Sequence, residues 1–143
     1  MSSLRNLVVK RFEAEKPVGI EEQLFDLIKL CFKNELIDVL DEDLMDLYIR
    51  QNGWFVAIDG ETDEVFGCLQ IIRDSLIANV CTTPKWRRNG VAERLLKLAI
   101  KDIEARGFEP TLDAVNSVMV VYYEKFGFVR IGTTLEMKKP NRT

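Results

Sequence analysis

The run Pro84-Lys85-Trp86-Arg87-Arg88-Asn89-Gly90-Val91-Ala92 constrains this chain most, because it joins two stretches of different hydrophobic period. The stretch before it, Leu76 to Thr82, reads as a strand that must end at Pro84, since proline donates no hydrogen bond to a sheet ladder. After it, apolar residues recur at Val91, Ala92, Leu95, Leu96, Ala99, Ile100 and Ile103, the spacing of an amphipathic helix that begins near Asn89. A strand feeding a helix across this turn leaves the first four helical N–H groups without intrahelical partners. The helix dipole adds about half a positive charge there. Such a terminus binds phosphate, and Gly90 removes the side chain that would keep a phosphate oxygen away from the backbone. The same run also suits an ordinary junction with solvated arginines, so the residues downstream must decide.

Gly127 follows Gly90 by 37 residues, inside Tyr122-Tyr123-Glu124-Lys125-Phe126-Gly127-Phe128, and Asn116 precedes that run. Arg87-Arg88-Asn89-Gly90-Val91-Ala92 matches the pattern Arg/Gln-x-x-Gly-x-Gly/Ala. Asn116, Tyr123 seven residues on, and Lys125-Phe126-Gly127-Phe128 match a second pattern, Asn, Tyr, then Lys-x-Gly-Phe. Through these segments, residues 76 to 128, the chain resembles the GNAT superfamily of acyl-CoA-dependent N-acetyltransferases. The order of elements outside the motifs also fits. The resemblance implies an α/β (α+β) fold in one N-acetyltransferase domain over residues 1–143. Its central mixed, mostly antiparallel sheet would be splayed at the cofactor site and flanked by about four helices.

Composition agrees with one ordinary globular domain: 143 residues, 47% hydrophobic and 30% charged. No apolar stretch approaches the ~20 residues of a membrane helix, and the N-terminus lacks a signal-peptide core. We therefore expect no membrane partner. The three cysteines Cys31, Cys68 and Cys81 lie in apolar contexts, and an odd count of buried thiols fits a reducing, cytoplasmic location. The absence of histidine excludes Ser-His-Asp and Cys-His machinery and argues against a metal site. A net charge of −3 does not support a nucleic-acid surface.

Alternation and turn residues predict strands over Leu4–Phe12, Trp54–Ile58, Val65–Arg73, Leu76–Thr82 and Thr111–Val115, with two short strands after Gly127. Helices are predicted over Glu21–Lys33, over Asp41–Gln51, where Asn52-Gly53 stops it, and from Asn89 to the basic turn Arg106-Gly107. Val118–Tyr123 is contested. Its β-branched and aromatic residues favour a strand, whereas the resemblance requires a helix that Gly127 would cap; we assign the helix.

The resemblance implies that acetyl-CoA lies between the strand ending near Thr82 and the strand near Leu112. Val80, Cys81 and Thr82 would hold its pantetheine arm, and Asn116 would bind the same arm. Arg87, Arg88, Asn89, Gly90, Val91, Ala92 and Glu93 would form the phosphate loop. Arginine suits that role on its own chemistry, because its fork pairs with phosphate in bidentate fashion. Tyr123 occupies the family's position for protonating the departing thiolate, a task within reach of a phenol; a core aromatic beside Phe126 and Phe128 is the alternative. Tyr122 would face another way on a helix and pack. Asp113 is the nearest carboxylate for a general base, with Glu35, Asp38 or a water chain as alternatives.

Between Asn34 and Leu47 lie six carboxylates, Glu35, Asp38, Asp41, Glu42, Asp43 and Asp46, and no basic residue. They suit a capped, solvated helix start, or a patch that attracts a cation. The resemblance places this segment at the acceptor wall, so Glu35, Asp38 and Asp41 become candidate substrate-binding residues for a small-molecule amine, polyamines first. A lysine side chain, a protein N-terminus and an aminoglycoside are alternative acceptors. A non-catalytic acyl-CoA-binding module and a site for another nucleotide phosphate are the readings from other classes. Homodimers are common among domains of this kind.

Overall fold

The strand β2 (Trp54–Asp59) is buried along its whole length, which requires cover on both faces of the sheet. Alternate residues divide accordingly. Trp54, Val56 and Ile58 join Leu24, Ile28 and Cys68 on one face, while Phe55 and Ala57 join Leu95, Leu96, Ile103 and Phe128 on the other. The computed structural model describes residues 2–13, 15–32, 49, 51–132 and 134–141. In chain order the remaining elements are β1 (Leu7–Phe12), α1 (Val18–Phe32), β3 (Val65–Ile72), β4 (Leu76–Thr82), α2 (Val91–Ala105), β5 (Thr111–Asp113), α3 (Ser117–Glu124), β6 (Val129–Arg130) and β7 (Glu136–Lys138).

The seven strands form one sheet in the order β1-β2-β3-β4-β5-β7-β6. The β4–β5 pair is parallel and the others are antiparallel. The expected single mixed sheet is therefore present. Three helices are described, against about four expected. Of the predicted helix Asp41–Gln51, residues 41–48 and 50 lie outside the described residues, while Ile49 is helical and buried. Among the described residues no helix is long and apolar enough to cross a membrane.

Two local departures matter. The predicted first strand starts late, because Leu4–Asn6 forms a 3-10 turn capped by Ser3, whose side chain accepts from the Arg5 N–H. The contested segment is a helix: Asn116 Oδ1 accepts from the Met119 N–H at 3.0 Å, the bond expected of an N-cap.

β4 is where the sheet opens. Among the described residues it pairs with β5 only at Leu76↔Thr111 and Ile77↔Leu112, so there the side of β4 facing β5 has no strand partner from Ala78 to Thr82. On its other side the register with β3 shifts by one residue between Cys68↔Cys81 and Gln70↔Ala78. That extra residue is a β-bulge, and Asn79 within it has a left-handed φ of 55°.

Candidate active site

The opening between β4 and β5 is a cavity of about 740 Å³. Its floor includes Ile77 and Leu112, the last residues to pair across the gap. Val80, Cys81 and Thr82 line it from β4. The turn and first helical residues line it at one end, and Asp113, Asn116 and Tyr123 from the side of β5 and α3.

The turn after β4 is held from three directions. Thr83 extends the ladder, its N–H and hydroxyl both donating to the Phe66 carbonyl at 2.9 and 3.1 Å. Trp86 packs edge-on against Phe66 at 4.9 Å and donates from Nε1 to Glu64 at 3.0 Å. Asn89 Nδ2 donates to the carbonyls of Trp86 and Arg87. Asn89 thus ties the turn and is not part of the cavity wall. Arg87 folds back, its Nε donating to the Thr82 carbonyl at 3.1 Å. Arg88 sits at φ 65°, lines the cavity and has no ion-pair partner among the described residues.

α2 then starts at Val91 with Gly90 as its N-cap, at φ 78°. Serine or aspartate at that position would satisfy a first-turn N–H from its own side chain; glycine has none. A Cβ placed on Gly90 would meet nothing within 4 Å, so the cradle is open. The first helical bond runs from the Arg94 N–H to the Gly90 carbonyl, and the N–H groups before it remain for an anion. Gly67 of β3 brings this terminus close: a Cβ there would lie 2.8 Å from the Cys81 carbonyl oxygen and 2.9 Å from Val91.

Tyr123 is buried, 5.4 Å from the Tyr122 ring and 6.1 Å from Phe128. Burial pushes its phenol up to about 12, with Tyr122 and Cys81 adding to the effect. At neutral pH it is a protonated donor at the cavity wall. Tyr122 does not turn away as its neighbouring position on a helix suggested. It lines the same cavity and stacks edge-on with Phe126 at 5.3 Å. Asp113 is exposed at the end of β5. The other carboxylate on the wall, Glu93, pairs with Lys97 at 3.0 Å. Glu35, Asp38 and Asp41 lie outside the described residues.

Cys31 and Asn79 belong to the wall without any sequence signal for it. Cys31 comes from α1 and accepts from Arg87 at 3.9 Å. Its hydrogen bond with Cys81, together with burial, pushes its thiol well above the ordinary range. The Cys81 thiol benefits from the Cys31 bond, but the bond with Cys68 and burial outweigh that and push it up too. Both stay protonated at neutral pH, which removes them as nucleophiles.

An acetyltransferase (GNAT) domain model matches residues 13–139. The chain belongs to the GNAT family. Solved structures with the same fold include a protein from Pyrococcus horikoshii (TM-score 0.76, 19% identity, 96% of this chain and 99% of that one). An acyl-CoA N-acyltransferase from Pseudomonas aeruginosa has TM-score 0.70 and 16% identity, over 94% of this GNAT chain and 98% of that one. A third is the PaiA N-acetyltransferase from Thermoplasma acidophilum, solved with coenzyme A (TM-score 0.64, 18% identity, 94% and 99% covered). The comparison with curated proteins gave no match.

Proposed function

We propose that this GNAT domain, over residues 1–143, moves the acetyl group of acetyl-CoA to a primary amine by direct attack of the amine. One observation carries the reading: a single cavity joins the open edge of β4, the uncapped N-terminus of α2 and the protonated phenol of Tyr123. Acetyl-CoA supplies the thioester. The first-turn N–H groups of α2 with Arg88 hold the pyrophosphate. The free side of β4 over Val80, Cys81 and Thr82, with Asn116, hydrogen-bonds the pantetheine arm. The solved coenzyme A complex of the Thermoplasma relative supports this use of the fold.

Three proton and charge tasks remain, and the residues divide them. The attacking ammonium must lose its proton, and among the described residues Asp113 is the cavity carboxylate without a lysine partner. The oxyanion forming on the thioester carbonyl needs a fixed donor, which the β4 edge supplies. The departing thiolate takes a proton or a hydrogen bond from Tyr123, whose protonated form is the one present.

For the acceptor we assign a small basic amine, with polyamines first, because six carboxylates and no basic residue fall between Asn34 and Leu47. Several carboxylates add in a partly enclosed groove, each weak when alone in water. Thiol release from acetyl-CoA against spermidine, spermine, putrescine, an aminoglycoside and a lysine-containing peptide tests this. Saturable turnover of the polyamines is expected. Replacing Asp41, Glu42 and Asp43 by Asn or Gln then raises the polyamine KM and leaves that of acetyl-CoA alone. An unchanged amine KM removes the charge argument, and turnover of the peptide alone keeps the enzyme and discards the acceptor.

A further inference from the structure

Gln70 is fully enclosed within β3, with the apolar neighbours Leu69 and Ile71 on either side. A leucine or methionine there would bury more apolar surface at no polar cost. The amide is instead used at both ends. Its Nε2 donates to the Asn52 carbonyl at 3.1 Å, and its Oε1 accepts from Asn79 Nδ2 at 3.1 Å. Asn79 is the left-handed residue of the β4 bulge, and the Cys68 thiol donates to its carbonyl at 3.6 Å. Two β3 side chains thus grip one β4 residue, at its side chain and at its backbone.

We infer that Gln70 is a positioning residue for the thioester carbonyl: by holding Asn79 left-handed it fixes the bulge that aims the open edge of β4 into the cavity. This rests on the cofactor reading above. Asparagine tolerates positive φ better than most residues but does not prefer it. Released, Asn79 relaxes toward extended backbone, the extra residue of the bulge shifts, and the N–H groups over Asn79 to Thr82 rotate away from their aim. Gln70 itself touches no reacting atom. Its effect falls on the polarisation of the carbonyl and not on the pyrophosphate grip at α2, which lies beyond the turn.

The test uses acetyl-CoA labelled with ¹³C at the thioester carbonyl, observed by NMR on the full chain, with unlabelled CoA titrated calorimetrically. In the wild type the carbonyl resonance moves downfield on binding, as a donated hydrogen bond requires. Gln70→Leu loses that shift, and CoA still binds it through the pyrophosphate grip at α2, more weakly by the pantetheine contacts that the β4 edge gives up. Asn79→Ala does the same, and because Asn79 lines the cavity it serves as the readout if Gln70→Leu does not fold. Adding Asn79→Gly to Gln70→Leu restores the shift, since glycine takes positive φ unaided. A Gln70→Leu or Asn79→Ala protein with the full wild-type shift overturns the inference, and so does a double variant that fails to recover it. Failure of the wild type to bind CoA at all would instead overturn the cofactor reading beneath it.

Discussion

Tyr123 carries the largest single expectation at the residue scale. Its phenol titrates near 12 because burial penalises the phenolate, so the donor form persists across the whole working range. The amine, with a pKa near 10.4 for a lysine-like group, deprotonates well before the tyrosine does. The rate should therefore climb between about pH 6 and 9 with no alkaline loss from Tyr123. Tyr123→Phe lowers kcat by roughly 10²–10⁴-fold, keeps CoA binding by calorimetry and leaves the slope of that climb unchanged. A flattened climb in the variant would mean that Tyr123 acts as the base. The same shift governs stability. A folded value raised above the ordinary 10 favours the fold fully below that pH, and the gain is lost as pH rises toward 12. The phenylalanine variant lacks this alkaline loss in thermal melts.

Among the elements, α2 shows which parts of the molecule were legible in the sequence. Its apolar period named Val91, Ala92, Leu95, Leu96, Ala99, Ile100 and Ile103, and all are buried except Ala92, which is half-buried. The turn before it could be read from proline, arginine and glycine types alone. Gly90 has open space around it, so Gly90→Ala meets no clash and costs only the left-handed backbone, about 1–2 kcal/mol. Gly90→Glu adds a carboxylate where the pyrophosphate would sit and should abolish CoA binding by calorimetry while the protein remains folded. Gly67→Val, by contrast, should lower the melting temperature, because its side chain meets a backbone carbonyl and the first residue of α2. α3 was hard to read for a physical reason. Val118 and Val121 are 76% and 60% exposed, so its apolar residues do not mark a buried face. The resemblance and the glycine beyond it were better guides than β-propensity, and the Asn116 cap emerges only in the structure. Tyr122 packs against Phe126 as read, but it also lines the cavity beside Tyr123. The roles of Asn79, Gln70 and Cys31 had no local signature. They depend on the register of β3 against β4 and on where α1 lands, which only the assembled sheet decides.

At the scale of the molecule, the sheet is two unequal plates. β1 to β4 form one, with long ladders and α1 against one face. The short strands β5, β7 and β6 form the other. Among the described residues the strand pairing between them amounts to Leu76↔Thr111 and Ile77↔Leu112, with the Thr111 N–H and hydroxyl donating to the Ser75 carbonyl nearby. A ligand that occupies the gap touches both plates at once and works as a rivet, supplying the lateral bonds that the missing ladder does not. Its binding free energy then appears as resistance to unfolding. At a hundredfold excess over Kd the gain is about 2.7 kcal/mol, on the order of a 10 °C rise in Tm. Amide exchange should slow on both sides of the seam, in β5 and β7 as well as in β4. Slowing confined to β4 would mean that the ligand grips one plate only and leaves the seam free to open.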